Sequence, residues 1–267
     1  MKVNRKLSIA ANSLAYYLLS YFFVFIVHQA FTILAARLFR FNIELNYTNV
    51  KFLVSRYEWY FDSVKIIYSA GPLACMMLSL FMIVVAFRYR EYSGKLKLFF
   101  LWGFVHSLSM LLGSAYAGAL LGEGFGHVLI WMFLPDTGKL IVTLVSLFLL
   151  AAAGFAITRL FLLSGNSYYN HLKTDGIASF LMFQLVIPFI AGTILIILLR
   201  LPVDFYEILR IVTPVMIVLP VWLNSQGSTD LFYDETPREI KTSGNLMIAA
   251  LIIIGLYRLA LNCPVQF

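Results

Sequence analysis

The stretch VHQAFTILAARLFR, residues 27–40, ends the first long apolar run of the chain and places a histidine inside it. A helix of roughly 20 apolar residues crosses the hydrocarbon core of a bilayer, and ionisable side chains in such a helix usually face protein. On a helical wheel, His28 shares one arc of roughly 120° with Ser13, Tyr17, Ser20, Tyr21 and Thr32. This stripe predicts that the first helix packs against others and turns His28 inward, either as a hydrogen-bonded core residue or as part of a functional site.

The composition predicts a membrane protein. Hydrophobic residues make up 61% of the 267 residues and charged residues only 12%, about half the charged share of soluble domains. The apolar runs predict spanning helices at residues 10–38, 64–88, 97–121, 139–163, 176–199, 206–223 and 244–261. We therefore expect an all-α polytopic membrane protein in the lipid bilayer, one integral membrane domain over residues 1–267 with about seven transmembrane helices. Six or eight helices remain open, because the sixth is short and contains Pro214 and Pro220.

The net charge of +7 does not indicate nucleic acid as a partner. The basic residues cluster in short loops such as RYREYSGKLK, residues 88–97, as expected beside anionic lipid headgroups. They divide almost evenly between the two sides of the predicted topology, so the membrane orientation stays open. Cys75 and Cys263 have neither a disulfide framework nor a metal-binding spacing.

Three segments do not match the pattern of a spanning helix. FNIELNYTNVKFLVSRYEWYFD, residues 41–62, alternates β-branched and aromatic residues with polar ones and predicts a small β-rich hairpin on the membrane surface. GEGFGHVLIWMFLPDTG, residues 122–138, has an apolar centre too short to span and predicts a re-entrant loop packed within the protein. Residues 224–244 contain turn residues and mixed charge without periodicity, and predict an exposed loop.

The stretch around His28 resembles the metal-binding helix of the site-2 protease family of intramembrane zinc metalloproteases. That helix begins His-Glu-x-x-His and continues with small and apolar residues to Arg-Leu-Phe-Gly. Here His28 takes the first histidine position, Gln29 the glutamate position and Thr32 the second histidine position, while LAARLF, residues 34–39, matches the tail. The resemblance implies a vestigial metal site at His28.

A second motif follows in the family's order, after the predicted hairpin. SAGPLAC, residues 69–75, resembles the family's Ala-Gly-Pro-Leu-x-Asn helix, with Cys75 in place of the asparagine. Its matching residues are Ala70, Gly71, Pro72 and Leu73. Glycine permits close backbone contact and proline suits the first turn of a helix, so we expect this motif to pass close to the first helix. We also expect His28, Gln29 and Thr32 to face helices two and three.

A third motif, FLPDTGK at residues 133–139, resembles the family's turn that ends in an aspartate ligand, and supplies Asp136. The resemblance covers residues 20–165 as a site-2 protease-like core, with residues 166–267 as additional C-terminal transmembrane helices. If it holds, Asp136 lies within hydrogen-bond reach of His28, since a partner of that kind offsets burial of either group. Alternatively Asp136 starts the fourth helix as an ordinary surface turn, which we favour because three of the family's polar positions are already replaced.

The residues at these positions argue against zinc chemistry. A catalytic zinc needs about three protein ligands plus water, whereas His28 and Asp136 are the only ligands that the aligned positions offer. Gln29 cannot accept a proton from a metal-bound water. The resemblance therefore implies a pseudoenzyme without metal or cofactor, which binds a membrane protein partner or client as a subunit or scaffold. For a chain this compact, it suggests the bacterial cytoplasmic membrane.

Two alternatives remain open. His106 and His127 could rebuild a metal site with His28 in a metalloprotease with non-standard ligands, although His106 shares a helix with small residues that would let it hydrogen-bond a neighbouring backbone. Interior histidines and proline-broken helices would also suit a transporter or channel. In that hypothesis Glu207 and Arg210 line a path, but we favour interfacial charges for these two and simple kinks for Pro188, Pro214 and Pro220.

Overall fold

The computed structural model describes residues 3–233, 240–262 and 264–267. Its α-helices are α1 Val3–Leu38, α2 Phe61–Arg88, α3 Lys97–Leu121, α4 Gly126–Trp131, α5 Asp136–Leu163, α6 Thr174–Leu181, α7 Ile187–Arg200, α8 Phe205–Val212, α9 Val215–Ser225 and α10 Gly244–Ala260. The predicted bounds of α3 match, whereas α1 begins seven residues earlier than the predicted residue 10.

Six helical segments of the described chain are long and apolar enough to cross a membrane. They are Arg5–Leu38, Phe61–Arg88, Lys97–Leu121, Asp136–Ser167, Thr174–Arg200 and Phe205–Ser225. The predicted all-α polytopic fold is confirmed, with the spanning helices at the lower end of the predicted range. The seventh predicted span forms α10, which has 17 residues and is shorter than the roughly 20 that a crossing needs.

The predicted hairpin is confirmed. Strand β1, Ile43–Leu45, pairs antiparallel with β2, Val50–Phe52, so that Ile43 lies opposite Phe52. A third strand was not predicted: β5, Val265–Gln266, pairs antiparallel with the other edge of β1. Next to this pairing, the Ile43 N–H donates to the Phe267 carbonyl at 3.3 Å, and the Phe267 N–H donates to the Ile43 carbonyl at 2.9 Å. Residues near the end of the chain therefore complete the sheet that follows the first helix.

A second small sheet lies elsewhere in the fold. Strand β3, His171–Leu172, pairs antiparallel with β4, Leu231–Phe232. Beside it, the Asp230 carboxylate accepts hydrogen bonds from the Thr174 hydroxyl at 2.6 Å and from the Thr174 N–H at 2.7 Å. These bonds lower the pKa of Asp230. Strand β4 belongs to the predicted loop at 224–244, so the sheet fixes this part of the loop to β3. Residues 234–239 of the loop lie outside the described residues.

Prolines interrupt the last two spanning segments. Residues Met182–Val186 form a π-helical turn between α6 and α7, just before Pro188. Pro214 separates α8 from α9, because proline has no N–H to continue the hydrogen-bond ladder. The sixth predicted helix is interrupted at Pro214, whereas Pro220 lies inside α9. Helix α8 packs against α3.

Residues 122–138 do not span, as predicted, and contain the six-residue helix α4. A Cβ placed on Gly126 would collide with the backbone carbonyl of Gly118, so α4 lies directly against α3. Val128 and Leu129 of α4 are buried. The start of α4 thus packs against the protein, whereas Met132 and Phe133 after it are 55% and 90% exposed. The entry of this loop into the membrane stays a prediction.

Candidate functional site

The inward stripe of α1 is confirmed. His28, Gln29 and Thr32 are 8%, 7% and 8% exposed. A Cβ on Gly71 of α2 would lie 2.7 Å from His28 Nε2 and from Thr32 Oγ1, so only glycine allows the observed approach of the two helices. The predicted contact between this motif and the first helix is therefore present.

Two details of the motif differ from the prediction. Pro72 lies well inside α2, which begins at Phe61, and not in the first turn of a helix. Leu73 is 51% exposed and Ala70 is only partly buried, so Gly71 and Pro72 are the buried residues of this motif. The reason is that α2 begins before the motif, and only one side of a helix can face α1 at this level.

His28 belongs to a buried group of charged side chains. Arg210 Nη2 lies 3.0 Å from His28 Nε2, and Arg210 Nη1 lies 2.5 Å from Glu207 Oε1. Glu207 Oε2 in turn lies 2.9 Å from Arg200 Nη2. None of these four residues is more than 8% exposed. We call His28, Arg200, Glu207 and Arg210 the charge cluster. Glu207 and Arg210, which we expected to be interfacial charges, are thus buried against protein.

The hydrogen bond from Arg210 determines the state of His28. A guanidinium has only N–H donors, so His28 Nε2 must accept with its lone pair and the imidazole is neutral. A zinc ion would need that same lone pair. At the second histidine position, the Thr32 hydroxyl donates to the carbonyl of His28 at 3.0 Å. These donors do not fit a zinc site.

Asp136 does not lie with His28. It is the first residue of α5, its side chain is 99% exposed, and it forms an ion pair with Lys139 at 3.0 Å. This corrects the grouping of Asp136 with His28, Gln29 and Thr32 in one vestigial site and agrees with the surface-turn alternative. A carboxylate in the first turn of a helix is stabilised by the exposed amides and the helix dipole.

His106 and His127 do not rebuild a metal site. His106 Nε2 lies 3.2 Å from the backbone carbonyl of Tyr17, so it forms the backbone hydrogen bond considered for it. The His127 ring lies 5.0 Å from that of Tyr68, and burial lowers the pKa of this half-buried histidine, although Glu123 opposes the shift. Within the described ranges, no group of three or more His, Cys, Asp or Glu side chains is placed to hold a metal ion.

A polar cavity of about 220 Å³ extends from the charge cluster to the hairpin. His28, Glu207 and Arg210 line its buried end, and Asn49 and Val50 of the hairpin line another side. The exposed side chains of Glu123 and Asp204 also line it, together with His127. The buried end of the cavity therefore has one cation, Arg210, paired with the Glu207 carboxylate, and the other end has two exposed carboxylates.

Aromatic side chains fill the interior on the other side of the charge cluster. Arg200 Nη1 donates to the Tyr21 hydroxyl at 2.8 Å. Further along α1, the Tyr17 and Trp102 rings meet edge to face at 4.8 Å, and Trp102 Nε1 donates to Ser13 at 2.9 Å. Tyr17, Tyr21 and Trp102 are each 1% exposed or less. The polar cavity thus ends at the charge cluster.

A second, apolar cavity lies between α1 and α10 and measures about 890 Å³. Phe22 and Ile26 of α1 line it, with Leu256 of α10 opposite. We call this apolar cavity the α1–α10 groove. Gln29 lines both the α1–α10 groove and the polar cavity.

These features define an integral multi-pass membrane protein with a polar cavity beneath a surface hairpin. Comparisons of the chain with protein-family models, curated proteins and solved structures found no significant match. The likeness of residues 20–165 to site-2 proteases therefore remains a prediction based on motifs. Glu207 and Arg210, which also line the cavity, belong to residues 166–267, the segment predicted as additional C-terminal helices.

Arg200, which is fully buried at the end of α7, was not predicted as part of the site. The predicted helix 176–199 ends just before Arg200. Glu207 and Arg210 did carry a usable signal, because a carboxylate and a guanidinium three residues apart on an apolar helix form a pair on one face. Such a pair in a spanning segment indicates burial against protein.

Proposed function

We propose that this protein is a non-catalytic membrane protein with a site-2 protease-like core, which binds a membrane protein partner or client as a subunit of the bacterial inner membrane. The contact between Arg210 and His28 Nε2 carries the proposal. The guanidinium of Arg210 is permanently charged and donates to the lone pair of His28 Nε2 that a zinc ion would need. In this proposal the arginine cation takes the place of the metal cation.

The neighbouring positions support the same proposal. Gln29 offers an amide where proton transfer needs a carboxylate, and loss of a general base lowers the rate by about 10²- to 10⁴-fold. The transport alternative has less support, because buried aromatic side chains fill the interior beyond Tyr21.

We expect purified protein to contain far less than one zinc per chain. The donors around His28 are too few and one is already bound to Arg210, so His28→Ala should leave the zinc content unchanged. The measurement is elemental analysis of wild type, His28→Ala and a His127→Ala control. Stoichiometric zinc in wild type that disappears in His28→Ala would overturn the non-catalytic proposal.

The α1–α10 groove is the surface that we assign to a partner's transmembrane helix. Helices associate in membranes through close packing, since the hydrophobic effect contributes little between them. A concave apolar surface on the membrane-facing side gives a helix more packing contact than a convex one does. Ala30 lines this groove on α1, so a large side chain at this position should fill it.

We expect Ala30→Trp to abolish copurification of the membrane partner that wild type retains in native membranes. The matched control is Ala152→Trp, which places the same side chain on an exposed position of α5. The measurement is quantitative mass spectrometry of the proteins that copurify with wild type, Ala30→Trp and Ala152→Trp. Retention by Ala30→Trp, or equal loss from both variants, would exclude the groove as the partner site.

A further inference from the structure

The charge cluster contains an unbalanced charge. Arg200 and Arg210 carry one positive charge each, Glu207 carries one negative charge, and His28 is neutral because it accepts from Arg210. One positive charge therefore remains in a region where Arg200 is 0% and Arg210 5% exposed. A buried charge without a counterion is unfavourable, because the interior solvates it poorly.

Neutral groups compensate this charge only in part. Arg200 lies over the Phe25 ring at 4.8 Å and Arg210 over the Tyr206 ring at 5.3 Å, both within the range of cation–π contacts. Arg200 also donates to the backbone carbonyl of Thr48. The Nε atoms of both Arg200 and Arg210 are nevertheless buried and have no hydrogen-bond partner among the described residues. An anion beside Arg210 would balance the cluster.

The polar cavity gives such an anion room beside Arg210. Arg210 lines the cavity directly, whereas Arg200 does not. Arg210 Nη1 already contacts Glu207 and Nη2 contacts His28, so Nε is the N–H group left for a ligand. A carboxylate oxygen accepts a strong, charge-assisted hydrogen bond from such a donor. The buried end of the cavity therefore favours a carboxylate.

The open end of the cavity favours the opposite charge. Glu123 and Asp204 are exposed and line this end, so they repel a simple anion that approaches Arg210. A ligand with an ammonium group at its outer end would be attracted by the same two carboxylates. Its two charges would then match the two ends of the cavity.

We propose that the cavity beneath the hairpin binds a small amino acid, with its carboxylate at Arg210 and its ammonium group at Glu123 and Asp204. This ligand site goes beyond the proposed function and does not depend on it, since neither zinc content nor occupancy of the α1–α10 groove enters the argument. The observations that carry it are the unbalanced buried charge, the unpartnered Arg210 Nε and the adjoining cavity.

Titration calorimetry of the purified full chain in detergent tests the proposal. The probes are glycine, β-alanine and 4-aminobutyrate, each paired with the alkanoate of equal carbon number: acetate, propionate and butyrate. At least one amino acid should bind about fivefold or more tightly than its paired alkanoate, as expected for attraction to exposed carboxylates. No saturable binding, or equal binding within every pair, would overturn the proposal.

Variants locate the two ends of the ligand. Arg210→Gln should weaken binding by about tenfold or more, because it removes charge-assisted hydrogen bonds while Arg200 and Glu207 stay as a balanced pair. Arg159→Gln, at an exposed position of α5, should leave binding unchanged. Unchanged binding in Arg210→Gln would place the ligand elsewhere and overturn the assignment.

The double variant Glu123→Gln/Asp204→Asn tests the outer end without altering the buried cluster. It should bind each amino acid and its paired alkanoate with similar affinity, since no carboxylate then selects the ammonium group. Both replaced side chains are exposed, so this variant decides the question even if Arg210→Gln fails to fold. A preference for amino acids that persists in the double variant would contradict the proposed orientation.

Discussion

Glu207→Gln is expected to destabilise the protein by about 3–5 kcal/mol, the range typical for removal of one partner from a buried ion pair. Glu207 is the carboxylate that contacts both Arg200 and Arg210. Without its charge, two buried guanidiniums would face each other with no carboxylate between them. The measurement is the free energy of unfolding in mixed micelles, followed by tryptophan fluorescence.

The control for this prediction is Glu91→Gln. Glu91 forms an ion pair with Arg90 at 3.2 Å, but its side chain is 81% exposed. Exposed pairs contribute about 0–1 kcal/mol, so this variant should unfold almost as wild type does. If the two glutamine variants have the same stability, the cluster is not the buried network that we describe.

Gly71→Val is expected to destabilise the protein by about 1–3 kcal/mol, as overpacking of a close contact does. The new side chain would occupy the space next to His28 Nε2 and Thr32 Oγ1, which lie 2.7 Å from the position of its Cβ. Either α2 moves away from α1, or His28 leaves Arg210. The same unfolding measurement gives the magnitude.

Gly255→Val on α10 is the matched control for Gly71→Val. A Cβ at Gly255 meets no other atom within 4 Å, so the same substitution should change the stability little. A shift in the histidine resonances of Gly71→Val, and not of Gly255→Val, would locate the disturbance at His28. Equal stability of the two variants would contradict the close approach of α1 and α2.

Local patterns were sufficient to predict the helices and the hairpin. The apolar runs are long enough to cross a bilayer, and the alternation at Ile43–Leu45 and Val50–Phe52 is typical of strands. Gly71 was a correct signal of close helix packing because glycine alone lacks a Cβ. Both kinds of signal depend on residues that are near one another in sequence.

The charge cluster was not predicted because its partners are distant in sequence. His28 and Arg210 are separated by 182 positions, and no local pattern relates them. The family motifs suggested Asp136 as the partner of His28, but Asp136 is better stabilised at the exposed start of α5, beside Lys139. Strand β5 was missed because two residues carry too little alternation to indicate a strand.

The position of Gln29 has a thermodynamic consequence. Its side chain forms part of the wall of both the polar cavity and the α1–α10 groove. If a ligand displaced the Gln29 side chain on one side, it would change the free energy of binding on the other side. By linkage the effect is reciprocal: if a bound helix changes the affinity for a small molecule by some factor, that molecule changes the affinity for the helix by the same factor. One amide in the first helix would thus make the two occupants heterotropic effectors of each other.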